Sequence, residues 1–224
     1  MKEKSINTDI KKSPDKDIEK KLKELGIERD SEGKIILYHV TLAKYFPDIV
    51  SSQSLKPRSM TGNMAWSLKS EWQNEGKNNK VYLTTKDQAE NIANLFQEKY
   101  GGTVYVLEAH ADESSLLPDE DNIGEGGNWL DSLMCGDLGR SAYGRTCSYK
   151  GEVSDVTLYK TKKFEFSSDE KSKYIAKSVK ALESGNKSLA DETFQQYEED
   201  VKKAEMLEQE KIQEKTSSKL SAKQ

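Results

Sequence analysis

The chain is poor in the residues that carry most metal and redox chemistry. Its 224 residues include two histidines, His39 and His110, and two cysteines, Cys135 and Cys147. Two thiols without a C-x-x-C spacing build no disulfide framework, so reduced intracellular thiols are expected. The two imidazoles are far apart in sequence, which leaves a zinc centre little to draw on, and no metal is expected. No stretch approaches the ~20 apolar residues of a membrane span. Met1-Lys2-Glu3-Lys4 leads into polar sequence without an apolar h-region. Neither a membrane partner nor a secretory leader is therefore expected, and the reading is a soluble chain in a cytoplasm, its own or that of a target cell. G-x-G-x-x-G, G-x-x-x-x-G-K-[ST] and G-x-S-x-G are absent too. A dinucleotide fingerprint, a P-loop and a nucleophile elbow are thus not indicated.

What the chain does contain is charge: 33% charged against 34% apolar residues, with a net charge of −4. That is too polar for the whole chain to be compact, and a smaller core with solvated ends is expected. The acidic balance does not favour nucleic acid, although Lys56, Arg58, Arg140 and Arg145 could line a local basic groove.

The pattern along the chain is helix–β–helix–loop–β–helix–β–loop–helix–β–β, an α+β arrangement. Residues 1–14 are expected to be disordered. Ile18, Leu22 and Leu25 mark an amphipathic helix over 15–26, ended by Gly26. Ile35–Thr41 is an apolar strand that turns polar at Tyr38, His39 and Thr41. Leu42–Val50 reads as one helix interrupted or opened by Pro47, and Leu55 as the buried anchor of the next loop. Residues 60–80, with Trp66 and Trp72, read equally as a lid or as a surface connection. Val81–Thr84 is a strand, and Thr85 with Gln88 forms a capping-box pattern for the helix carrying Ala89, Ile92, Ala93, Leu95 and Phe96. Thr103–Ala109 is the third strand, and Leu116–Pro118 a small anchor.

The acidic run from Asp119 to Gly127 lacks the EF-hand spacing and reads as a solvated loop. Trp129–Met134 is a short helix and Asp137–Gly144 a link. Arg145–Tyr149, Val153–Tyr159 and Lys163–Phe166 are β segments. Ser167 and Glu170 cap a helix whose stripe is Tyr174, Ile175, Val179 and Leu182. A last helix over about 188–215, lined by Phe194, Tyr197, Val201 and Ala204, reads as a solvent-facing extension and a possible partner contact, with 216–224 a disordered tail.

Tyr38-His39-Val40-Thr41, the loop Ser54-Leu55-Lys56-Pro57-Arg58, and Val81-Tyr82-Leu83-Thr84 before a helix resemble the ADP-ribosyltransferase superfamily. The likeness is to its diphtheria-toxin-like and poly(ADP-ribose)-polymerase-like branch, and its plan is shared by the RNA 2′-phosphotransferases. The resemblance implies a domain over 30–165 with split antiparallel β-sheets, followed by a helical extension over 167–215. It implies NAD as co-substrate and transfer of ADP-ribose to a macromolecular acceptor, protein or nucleic acid, or hydrolysis of NAD+. The alternatives are RNA 2′-phosphotransfer and a catalytically inactive nucleotide-binding protein. A small toxin or effector would suit this size. By the resemblance, His39 donates to the adenosine ribose, Thr41 supports it, Tyr82 stacks on nicotinamide and Thr84 closes that wall; Arg58, with its planar fork, reads as a phosphate clamp or as a surface arginine. The chain departs from the family pattern at Val40 and Ser54, both glycine there. It departs also at Gly144–Tyr149, where a catalytic glutamate is usual and Arg145 and Thr146 stand instead. Glu152, after the turn, is then the expected acid, with a carboxylate from 119–121 as another source.

Overall fold

The structure is a computed structural model that describes residues 14–61, 79–119, 123, 127–135 and 144–222. The 60–80 and 137–144 segments, with much of the acidic loop, therefore lie mostly outside the described residues. Elsewhere the elements are α1 (Pro14–Glu24), β1 (Ile35–Leu42), a 3-10 turn (Ala43–Tyr45), α2 (Phe46–Ser52), α3 (Arg58–Thr61), β2 (Lys80–Thr84) and α4 (Lys86–Tyr100). They continue with β3 (Val104–Ala111), a second 3-10 turn (Glu113–Ser115), β4 (Leu116–Pro118), α5 (Trp129–Met134), β5 (Thr146–Lys150), β6 (Val156–Lys162), α6 (Ser168–Glu183) and α7 (Lys187–Ser221).

The six strands form one antiparallel sheet in the order β4-β5-β2-β1-β3-β6. Strand alternation sorts the apolar residues onto its two faces. Ile35, Leu37, Leu83, Ala109 and Cys147 pack with Leu22 of α1 and with Trp129, Leu130 and Leu133 of α5. Tyr38, Val40, Val104 and Val106 pack with Ala89, Ile92, Ala93 and Phe96 of α4. Burying a side chain such as Leu37 or Leu107 is worth roughly 1.5–3 kcal/mol.

Several expectations change. The single helix over 42–50 is a 3-10 turn followed by α2, and Pro47 sits in the first turn, where a missing N–H costs nothing. The 116–118 anchor is an edge strand paired with β5. The expected β segment at 153–159 becomes β6, shifted to Val156–Lys162, and the one expected at 163–166 is not a strand, while Val153 bridges Leu55, which is buried as expected. Thr85 is the N-cap of α4 but makes no side-chain cap bond, so the capping box is not formed there. The Ser167–Glu170 capping box is formed.

The C-terminal helix does not stand away from the domain. The Glu208 carboxylate accepts Thr103 N–H at 3.0 and 3.1 Å, and Lys219 pairs with Asp48 of α2. Gly101 lets the chain before α6 come close: at φ +68, a Cβ there would lie 2.8 Å from Ser167 N. Most of the apolar stripe of α6 faces outward, with Ile175 61%, Val179 46% and Leu182 56% exposed. Contact with α7 runs through Ala181 and the ring group Phe166, Tyr174 and Tyr197. Among the described residues, no helix is long and apolar enough to cross a membrane.

Candidate functional site

The sheet is not evenly stitched. β1 pairs with β3 without interruption from Ile35–Ala111 to Leu42–Val104, and β2 with β5 from Lys80–Lys150 to Thr84–Thr146. Between β1 and β2 the register holds at Tyr38 opposite Thr84. His39 follows directly. Its Nδ1 lies 2.9 Å from the Tyr82 carbonyl oxygen, across the seam. A carbonyl only accepts, so Nδ1 carries the proton and Nε2 is the ring's acceptor. Burial, opposed by this bond, lowers the imidazole pKa and keeps the ring neutral. His39 is thus built to accept a hydroxyl hydrogen through Nε2, which reverses the donor role implied by the family likeness. Thr41 is buried further along β1, and Tyr82 is half-buried opposite Ser148.

A polar row crosses the sheet beside His39. Asp119, just past β4, accepts the Thr146 hydroxyl, Thr146 lies opposite Thr84, and Thr84 lies opposite Tyr38. Tyr38 in turn lies opposite Glu108 and donates its hydroxyl to that carboxylate at 3.2 Å. Asp119, Thr146, Thr84 and Tyr38 are all buried. Burial, with the Glu108 charge and hydrogen bond, pushes the Tyr38 phenol well up, so it stays a donor. Ser132 of α5 donates to the Thr146 carbonyl at 2.8 Å and receives Asp119 N–H at 3.0 Å, which fixes the opening of β5. Cys147 beside it is no nucleophile at neutral pH, because burial and the Asp119 charge raise its thiol pKa far above the usual range.

Where the family likeness places an acid, Arg145 stands. It has left-handed backbone, φ 61, and its carbonyl accepts the Thr84 hydroxyl at 2.7 Å. Its Nε is buried with no hydrogen-bond partner, and so is the Thr85 hydroxyl.

Glu152 is held elsewhere. Its carboxylate accepts the Ser54 hydroxyl and lies 4.0 Å from Lys56 Nζ, while Gly151 N–H bonds to Asn79 beyond the start of β2. The serine that replaces the family's loop glycine is therefore the residue that ties down Glu152, away from His39. Arg58 is the first residue of α3. The structure thus joins His39 to Tyr82, and Thr84 to Arg145 and Thr146, but brings Glu152 to neither group.

A second cluster was not legible by spacing. Asp30, His110 and Asp155 place ligand-capable atoms within 4.8 Å of one another, although Asp30 and His110 are 80 positions apart. The cluster is accounted for by ion pairs. His110 Nδ1 lies 2.7 Å from Asp30 and Nε2 lies 3.3 Å from Glu108, while Lys34 holds Asp155 at 3.3 Å. Burial works against the imidazolium, but its hydrogen bonds to Asp30 and Glu108 and the Asp155 charge outweigh it, and the pKa is raised. Asp30 is correspondingly lowered.

Compared with protein-family models, with curated proteins and with solved structures, the chain matches none.

Proposed function

We propose that this chain is an ADP-ribosyltransferase-like protein that binds NAD+ at the β1/β2 seam and cleaves its nicotinamide–ribose bond. The released ADP-ribose would pass to a macromolecular acceptor or to water. The observation that carries the reading is His39, fixed by the Tyr82 carbonyl between β1 and β2 in the tautomer whose Nε2 accepts. Cleaving NAD+ goes through an oxocarbenium-like state, which requires one ribose gripped by its hydroxyls and the nicotinamide held flat. Nε2 suits a ribose hydroxyl. The α+β arrangement agrees with the family plan at the level of class, while the six strands form one antiparallel sheet where the family likeness implies split sheets.

The acid remains the open role in this proposal. Glu152 is the sequence expectation, and Asp119 is the buried carboxylate at the opening of β5. A second reading, nucleotide binding without turnover, is favoured by Arg145 standing where an acid is usual.

The test is nicotinamide release from NAD+, with and without cell lysate, for the wild type beside His39→Ala, Glu152→Gln and Asp119→Asn. Release that falls with His39→Ala and with one of the two carboxylate variants supports cleavage and assigns the acid. NAD+ binding without release supports the second reading. A folded chain that neither binds nor cleaves NAD+ overturns both.

A further inference from the structure

We infer that the N-terminus of α4, together with Thr85 and Arg145, is a seat for a phosphoryl group. α4 is a 15-residue helix whose N-cap threonine makes no side-chain cap bond. The N-termini of α5, α6 and α7 are capped by Asn128, Ser167 and Asn186. Thr85 is 4% exposed, and its hydroxyl has no hydrogen-bond partner at all. Leaving a buried hydroxyl unpaired costs free energy, as does failing to use it as a cap.

The second observation comes from another strand. The β2/β5 ladder ends at Thr84 opposite Thr146, so Thr85 and Arg145 each adjoin its last pair, and the Thr84 hydroxyl ties down the Arg145 carbonyl. Arg145 also carries a buried nitrogen, Nε, without a partner. Two orphaned groups on adjoining strand ends beside a helix N-terminus, one of them cationic, call for an acceptor-rich anion. A tetrahedral phosphoryl group supplies the oxygens that a planar guanidinium, a hydroxyl and helix amides can share. Lys86 does not compete for it, because its ammonium sits 4.9 Å from the Tyr159 ring centroid.

Thr85 lies two residues beyond Leu83, which by the same register stands opposite His39, so the seat is about 7 Å along the strand from the His39 row. That spacing fits the diphosphate of a dinucleotide whose ribose is at the seam. The seat itself depends only on phosphoryl chemistry, and free phosphate or pyrophosphate should occupy it too.

The experiment is calorimetric titration of the full chain with inorganic phosphate, pyrophosphate and NAD+, for the wild type and for Thr85→Val, Arg145→Gln, Arg145→Lys, His39→Ala and the surface control Lys160→Gln. Pyrophosphate should bind the wild type and Lys160→Gln alike, and bind Arg145→Gln at least ~10-fold more weakly, the worth of a charge-assisted bond. Arg145→Lys should fall between, having the charge without the fork. Thr85→Val is the discriminating variant. A hydroxyl with only a structural role would leave binding unchanged, whereas the seat requires weaker binding at unchanged or higher thermal stability, because an unpaired buried group has been removed. Wild type that binds neither phosphate nor pyrophosphate, or Thr85→Val and Arg145 variants that bind as wild type, overturns the inference. The NAD+ arm separates the two readings. Pyrophosphate bound with NAD+ ignored keeps the seat and removes the dinucleotide. NAD+ bound in a His39-dependent way with Arg145 irrelevant keeps the dinucleotide and removes the seat.

Discussion

Two histidines sit on neighbouring strands of one sheet and are driven to opposite states. His39 has one hydrogen bond, to a carbonyl, and burial keeps it neutral. His110 has a carboxylate on each ring nitrogen, and its proton is held more tightly than in water. The difference lies in what each strand edge offers. At the β1/β2 seam, among the described residues, the group that bonds to the ring is a backbone oxygen. Beyond β3, the 29–34 turn and the approach to β6 supply Asp30 and Asp155. An imidazole between acids is an ion-pair clasp, whereas an imidazole beside a carbonyl in a parted sheet keeps a lone pair for something else.

The largest expected effect breaks that comparison by removing each ring. His39→Ala should lower NAD+ cleavage by ~100-fold or more, the usual scale for a group that handles a reacting hydroxyl, while His110→Ala leaves the rate per folded molecule unchanged. Equal losses in a nicotinamide-release assay would contradict the assignment.

Next, native-state hydrogen exchange should show the seam as the weak line of the sheet. The amides at the β1/β2 edge should exchange about 10-fold faster or more than those between β1 and β3, since fewer bonds must open. Uniform protection across all six strands would contradict the parted sheet.

A smaller effect contrasts two N-caps. Ser167→Ala should cost about 1 kcal/mol in urea unfolding, because its hydroxyl and Glu170 form a capping box. Thr85→Val should cost nothing, because its hydroxyl bonds to nothing.

The smallest effect is the pH profile of stability, where the two rings act in different windows. Above the unfolded histidine value of about 6.5, folded His110 keeps a proton that the unfolded chain loses, so stability falls as pH rises through its raised pKa. Below about 6.5 the unfolded chain takes up a proton that half-buried His39 refuses, so stability falls as pH drops toward its lowered pKa. Asp30, lowered by His110, adds a loss below about pH 4. His110→Gln should flatten the alkaline limb and His39→Gln the acid limb of urea midpoints against pH. The reverse pattern would exchange the two roles.

Much of the sheet could be read from the chain because its signals are apolar and local. The run Ile35–Leu37, the face Ala89–Phe96 and the anchor Leu55 all report burial directly. β4 escaped because three residues ending in proline carry no period, and an edge strand needs none. The docking of α7 escaped because it is polar, a carboxylate on the Thr103 amide and Lys219 on Asp48, where periodicity reports only apolar stripes. The same blindness misled for Ile175, Val179 and Leu182, a regular stripe that faces water. At the site, His39 and Tyr82 could be singled out as polar residues at strand ends, but their bond depends on where the sheet parts. Asp119 read as a loop acid, and its burial follows from β4 delivering it beside Thr146. The orphaned hydroxyl of Thr85 looked like an ordinary cap, and only the structure shows the cap bond unmade.

The most direct measurement follows from the chain having only two histidines. NAD+ titrated into the full chain labelled with 15N-histidine reports each ring nitrogen separately. The account predicts that His39 is observed as the Nδ1-protonated neutral tautomer, that its Nε2 resonance moves to saturation with NAD+, and that both His110 nitrogens stay where they are. A His39 ring protonated at Nε2, or NAD+ that moves His110 or neither ring, would contradict it.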